Sequence, residues 1–262
     1  MKVISSHDNK YIKLASSLKY RKYREEESMF LVEGKRAVEE ALERPELIET
    51  MFLDESMAAE YQISDTSSSP DCYLLPSRLM KHVCCTENPQ GIAAIVRKTV
   101  WQWEDLLNKT GLLILLDRVS DPGNMGSILR TCWALGVEGV LMTKGCVDPF
   151  SPKVVRSTMG AIINVPIFTD VSEKQLDTLH DDLKYAFICT DINIGEKYYS
   201  VEYSSRSLLV VGSEAQGVSN ELKKRCDRFI NIPMNPRVDS LNVAAACAII
   251  VAETWRQYHD DI

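Results

Sequence analysis

The sequence predicts an α/β protein in two domains, the second built on a parallel β-sheet. Three observations carry this expectation. Short, near-continuous apolar runs alternate with helical stretches through the second half, a pattern that belongs to a parallel sheet covered on both faces. The first half mixes strand-like and helical segments. Between them, residues 98–110 are polar, mixed and unperiodic, as a domain boundary should be. We therefore expect one domain over residues 1–100 and a second over residues 108–262.

The elements follow in order. Residues 36–44 (RAVEEALER) read as a helix closed by Pro45. Residues 48–54 read as a strand, 64–70 (SDTSSSP) as a polar loop, 72–75 as a second short strand, 77–83 as a helix and 91–96 as another strand. In the second half the strands are expected at 112–116, 139–142, 185–189, 208–211 and 229–232. A C-terminal helix over 240–257 is apolar nearly all round between Val243 and Ala252. Such a helix needs burial on every side, within one subunit or between two.

Bulk composition narrows the class. With 262 residues, 45% hydrophobic and 26% charged, the chain has the make-up of a globular protein rather than a disordered or fibrous one. Its longest apolar run, Val243 to Ala252, is too short to cross a bilayer. The N-terminus, MKVISSHDNKYIK, has no apolar signal core, so export is not expected. Eight cysteines occur without a CxxC pair and mostly within apolar segments, which suits a reduced, cytoplasmic chain. His82-Val83-Cys84-Cys85 lacks the partners of a metal site, and no metal is expected.

The net charge of −7 weighs against a nucleic-acid partner until it is split by position. Residues 1–24 hold seven basic residues against Asp8 alone, or +6, and the rest carries −13. Tyr11, Tyr20 and Tyr23 interleave this basic stretch. Lysine and arginine neutralise phosphates, and tyrosines stack on unpaired bases. Lys13, Lys19, Arg21 and Lys22 are thus candidate RNA contacts; the plain alternative is a solvated amphipathic helix with Ile12, Leu14 and Leu18 partly buried.

In an open parallel sheet, ligands bind beyond the carboxyl ends of the strands. Three loops there are rich in Gly, Asn, Ser and charge: Asp117 to Gly126, Gly212 to Gly217, and Pro233 to Asn242. Common fingerprints are absent: GSEAQG is not GxGxxG, and there is no GxxxxGK[ST], GxSxG or HExxH. All four histidines lie outside the loops, which argues against a Ser-His or Cys-His pair.

The three loops resemble the three motifs of the SpoU-type (TrmH-like) RNA 2'-O-ribose methyltransferases of the SPOUT superfamily. NxGxxxR is matched by Asn124, Gly126 and Arg130; a strand followed by GxExxG by Gly212, Glu214 and Gly217; an IPM run followed by SLNV by Ile232, Pro233, Met234, Ser240, Leu241, Asn242 and Val243. Residues 154–161 (VVRSTMGA) are similar to the family's intervening segment. The first half resembles the ribosomal-protein-like substrate-binding domain that often precedes this catalytic domain, through FLVEG at 30–34 and QGIAA at 90–94. In one departure, Pro236 lies where family members usually carry glycine, and it fixes its own φ.

The resemblance implies a C-terminal domain with a trefoil knot, an exception to the usual topology rules. It implies methyl transfer from S-adenosylmethionine to a ribose 2'-hydroxyl, without a metal. The cofactor would lie near Thr190, Gly212, Gly217, Ile232, Met234 and Leu241. Arg130 would be the central catalytic residue, either as a base assisted by an RNA phosphate or as a positioner, since arginine normally stays protonated. Asn124, Glu214, Ser240 and Asn242 would orient it, with Glu214 either a clamp on the loop or a participant in catalysis. Arg118 and Arg156 are further candidate phosphate contacts, with surface ion pairing as their ordinary alternative. A homodimer joined through the C-terminal helix and the first-motif helix is implied. The expected substrate is 23S rRNA, with tRNA as alternative. A non-catalytic RNA-binding protein of the same fold and a nicotinamide oxidoreductase are the competing classes; the intact motifs argue against the first and the missing GxGxxG against the second.

Overall fold

A computed structural model describes residues 2–57 and 70–259; of the expected polar loop, residues 64–69 lie outside the described residues. The chain forms two compact units: Met1–Val100 with Asp148–Ile163, and Trp101–Val147 with Asn164–Ile262.

The first unit carries β1 (Lys2–Val3), α1 (Lys10–Ser17), α2 (Arg21–Glu26), β2 (Met29–Glu33), α3 (Lys35–Leu42), β3 (Ile48–Asp54), β4 (Cys72–Leu75), α4 (Ser77–Val83) and β5 (Ile92–Arg97). Its mixed sheet runs β1-β4-β3-β5-β2, with β5 antiparallel to both neighbours. The N-terminal stretch is part of this core: Ile12, Ala15 and Leu18 pack with Phe52, Leu79 and Ile95. Asn9 caps α1 by accepting from the Tyr11 amide at 2.9 Å.

The second unit carries α5 (Trp103–Leu107), β6 (Gly111–Asp117), α6 (Pro122–Ala134) and β7 (Gly139–Met142). The chain then enters the first unit with α7 (Pro152–Thr158) and α8 (Ala161–Asn164), and continues through β8 (Ile167–Phe168), α9 (Glu173–Asp177), β9 (Ala186–Thr190), β10 (Glu196–Lys197), β11 (Arg206–Gly212), α10 (Asn220–Lys223), β12 (Arg228–Asn231) and α11 (Val243–Tyr258). The sheet order is β10-β12-β9-β11-β6-β7-β8, and every pairing is parallel. Its central strands are apolar and buried because both faces are covered, with Leu113, Leu115, Phe187 and Val210 in one core cluster. β6 and β11 end side by side, Asp117 opposite Gly212, which sets the first two loops at one edge.

Several expectations change. The unperiodic stretch expected as a boundary contains α5, a helix too short to show periodicity, and from Trp101 on it belongs to the second unit. The expected strand at 185–189 runs from Ala186 to Thr190, and that at 229–232 from Arg228 to Asn231. The C-terminal helix begins at Val243, and its own chain does not bury it all round: Cys247, Ile250, Val251 and Thr254 are buried, while Ala245, Ala252 and Trp255 are exposed.

The segment Asp148–Ile163, assigned by sequence to the second domain, packs with the first unit. Arg24 donates to the Leu18 and Lys19 carbonyls at 2.7 and 2.8 Å and to the Asp148 carboxylate at 2.6 and 3.1 Å. The Phe30 and Phe150 rings lie 5.2 Å apart, and Arg44 donates to the Ile163 carbonyl at 3.2 Å.

Candidate active site

The first loop leaves β6 at Asp117, a buried carboxylate. It accepts from the Thr143 hydroxyl at 3.1 Å, the Ser219 amide at 2.8 Å and the Arg118 guanidinium at 3.2 Å. Arg118 adopts a left-handed φ of 57° and also donates to the Gln216 side chain at 2.9 Å. Asp117 and Arg118 together hold the second loop against the end of β6. Asp121 caps α6 through the Asn124 amide at 2.7 Å, and Pro122 occupies the first helical turn, where its missing N–H costs nothing.

The second loop is a closed turn. The Gly217 amide donates to the Ser213 carbonyl at 2.8 Å. A Cβ on Gly212 would lie 2.0–2.3 Å from the Gly217 and Val218 backbone, so the chain itself occupies that space. Gly217 has open space around it and is required for its φ of 64°. The two glycines serve different needs: close packing for one, dihedral freedom for the other.

The third loop answers the question posed by Pro236. The Val238 amide donates to the Asn235 carbonyl at 2.9 Å, and the Arg237 amide to the Asn235 side chain at 3.0 Å. Pro236 thus holds the second position of a tight turn, where its fixed φ is favourable.

A side-chain relay ties the loops together. Asn124 donates to the Glu214 carboxylate, and Asn242 donates to the Asn124 carbonyl oxygen at 2.8 Å. Asn242 also caps α11, accepting from the Ala244 and Ala245 amides at 2.9 and 3.3 Å. One residue from each motif is therefore in a single hydrogen-bonded chain.

Beside this relay lies a cavity of about 340 Å³ with walls from the second unit. All six expected cofactor residues, Thr190, Gly212, Gly217, Ile232, Met234 and Leu241, line it, as do Glu214 and Ser240. Val211, Ile230, Val243 and Ile250 supply much of its apolar wall. Asp191 and Lys223 also line it and form an ion pair of 2.6 Å. Burial works to raise the Asp191 carboxyl, but the Lys223 ammonium and the Asn193 and Ile194 amides outweigh it and hold it below the usual range. Asp191 in turn raises Lys223. A small apolar cavity with a few convergent polar groups has the size and make-up of a cofactor site, so the residues present fit S-adenosylmethionine.

Arg130 does not line the cavity. It is exposed on α6, and no ion pair or side-chain hydrogen bond engages it among the described residues. The other cationic candidates are partly engaged. Lys13 pairs with Asp8 at 2.8 Å, Arg21 with Glu25 at 2.5 Å and Lys22 with Glu26 at 3.7 Å. Lys19 donates to the His82 and Cys84 carbonyls at 2.7 and 2.9 Å, fastening the turn after α1 to the end of α4. Arg118 serves the loop, and Arg156 is exposed on α7 in the first unit. Sequence reasoning assigned no role to Asp117, Asp191 or Lys223. The available signal was an acidic residue ending or immediately following an apolar strand, seen for both aspartates.

Fold and site define a class: an α/β enzyme that holds a small cofactor among three loops at the carboxyl edge of a parallel sheet. The SpoU rRNA Methylase family model matches residues 111–252, and the MRM3-like substrate binding domain model matches residues 9–94. The chain is 32% identical to the 23S rRNA (guanosine(2553)-2'-O)-methyltransferase RlmP of Bacillus subtilis, over 96% of this chain and 98% of the relative. An AdoMet-bound rRNA methyltransferase from Sinorhizobium meliloti superposes with a TM-score of 0.84 at 26% identity, covering 98% of each chain. The SpoU methyltransferase AviRb from Streptomyces viridochromogenes, in complex with AdoMet, superposes at 0.82 with 25% identity, covering 95% of this chain and 98% of that one. The chain belongs to the SpoU rRNA methylase family. It is an S-adenosylmethionine-dependent RNA 2'-O-ribose methyltransferase.

Proposed function

We propose that this enzyme methylates a ribose 2'-hydroxyl in 23S rRNA, with the cofactor in the 340 Å³ cavity and Arg130 acting on the hydroxyl. The observation that carries this reading is the Glu214–Asn124–Asn242 relay, which joins all three motif loops beside the cavity. The Bacillus subtilis relative and the Sinorhizobium meliloti structure, which match along nearly the whole chain, are named as rRNA enzymes, which supports rRNA over tRNA.

When bound, S-adenosylmethionine supplies an electrophilic methyl group. The chain's own part is placement. Asn124 and Asn242 hold Glu214 and the start of α11 in register. The apolar wall excludes water, and an aligned hydroxyl then reacts without a further entropic cost. Arginine is a five-donor cation that keeps its charge. Arg130 therefore acts as a positioner: it holds the hydroxyl and an adjacent phosphate, and the proton that the hydroxyl gives up passes to solvent.

In this reading the first unit is the RNA substrate-binding domain, with Lys13, Arg21, Lys22 and Arg156 meeting phosphate. The second unit is the methyltransferase domain, threaded as a trefoil knot. The working form is a cytoplasmic homodimer, supported by the uncovered apolar positions Trp133, Leu241 and Trp255 on and beside α6 and α11. Mapping ribose methylation in 23S rRNA from a strain lacking the gene, against its parent, tests the substrate. One lost 2'-O-methyl group is expected; an unchanged 23S map with a lost tRNA mark would overturn it.

A further inference from the structure

We propose that Asp191 and Lys223 form a diol clamp that selects the ribose of the cofactor's adenosyl group. The inference rests on the cofactor reading above. Asp191 follows the carboxyl end of β9, and Lys223 closes α10; both line the cavity. One carboxylate oxygen of Asp191 accepts from the Asn193 and Ile194 amides at 2.9 and 3.4 Å, and the other accepts from Lys223 at 2.6 Å. A carboxylate offers about four acceptor positions, so one remains on the oxygen facing Lys223. The ammonium has three donors and, among the described residues, spends one on Asp191. The wall thus presents a fixed acceptor and free donors side by side.

Charge decides which ligand group this suits. A cationic ammonium would gain from Asp191 but meet Lys223 in direct contact with that same carboxylate. A carboxylate would gain from Lys223 but meet Asp191. A pair of neighbouring hydroxyls, each donor and acceptor, satisfies both without opposing either. Within S-adenosylmethionine that group is the ribose diol. The short Asp191–Lys223 bond and the amides of Asn193 and Ile194 fix the carboxylate beforehand, so little order is lost on binding.

The test is calorimetric titration of the full chain with S-adenosylhomocysteine and its 2'-deoxy and 3'-deoxy analogues. Wild type should bind the intact compound about tenfold to a hundredfold more tightly than at least one deoxy analogue, as for a hydrogen bond to a charged group. Asp191→Asn keeps an acceptor for the two amides but loses the charge. It should bind the intact compound more weakly and lose the discrimination. Lys223→Gln should also reduce discrimination, which keeps the test open if the first variant is unstable. If wild type binds intact and deoxy compounds equally, the clamp is overturned and the cavity assignment stands. If the variants weaken all three compounds equally, the pair is only a brace for the 191–194 loop. If wild type binds no adenosyl compound, both the clamp and the cavity assignment fall.

Discussion

Arg24 and Asp148, 124 residues apart, form an ion pair of 2.6 Å within the first unit, the guanidinium buried and the carboxylate partly so. Arg24 belongs to the basic stretch that reads from sequence as an RNA-facing arm, yet it is 3% exposed. The guanidinium spends its donors on Asp148 and two carbonyls of its own chain.

Removing Arg24 leaves the partly buried Asp148 carboxylate and the Leu18 and Lys19 carbonyls without their donor. Arg24→Ala should therefore cost about 2 kcal/mol of stability, read by denaturant unfolding. It should leave the salt dependence of RNA binding unchanged.

The opposite pattern is expected at the surface. Lys13, Arg21 and Lys22 are more than half exposed, and their pairings are solvent-screened. Replacing all three by glutamine should leave the melting temperature nearly unchanged. Each phosphate contact removed should lower the salt slope of single-stranded RNA binding by about 0.7. Deleting residues 1–24 would confuse the two effects, because Ile12, Ala15 and Leu18 belong to the core.

Arg130 lies outside the cavity, and among the described residues no ion pair or side-chain hydrogen bond engages it. Arg130→Ala should cut methyl transfer by at least about a hundredfold, while cofactor affinity and thermal stability stay near wild type. Near-normal single-turnover transfer would remove it from the mechanism.

The two motif glycines should respond differently to alanine. Gly212→Ala forces a Cβ into the Gly217–Val218 backbone and should open the loop, abolishing cofactor binding. Gly217→Ala meets no atoms and bears only the left-handed penalty of about 1 kcal/mol. Cofactor titration of both variants checks the contrast.

His180 makes bonds of 2.8 Å to Asp181 and 3.1 Å to Asp227, and these two carboxylates raise its pKa against a smaller effect of burial. A raised folded value means the protonated form is favoured in the folded state. The stabilisation is fully present below the ordinary value of 6.5 and fades as pH rises through the elevated one. Tm measured across that window should fall less with rising pH in His180→Gln than in wild type.

Much of this was legible in sequence because burial on both faces leaves a plain trace. The apolar runs at 112–116, 139–142 and 208–211 lie within or coincide with β6, β7 and β11, and the loops after the strands led to the cavity. Contacts set by tertiary packing left no such trace. Nothing local marks Arg24 as buried, and Glu25 and Glu26, just beyond the basic stretch, neutralise its helix neighbours. The membership of Asp148–Ile163 in the first unit depends on Arg24, Phe30 and Arg44, all far away along the chain. Asp191 and Lys223 meet across two elements, so their spacing of 32 residues carried no signal.

Because Asp148–Ile163 completes the first unit, that unit is discontinuous in the gene. A growing chain cannot finish it when residue 100 emerges from the ribosome. Arg24 must wait, its charge unmatched, until β6, α6 and β7 have been synthesised and Asp148 follows them. The usual order, in which an N-terminal domain closes before the next begins, is replaced here by two interleaved closures. A single cut after residue 100 would part the first unit from its last segment, while every residue of the second unit stayed in one piece.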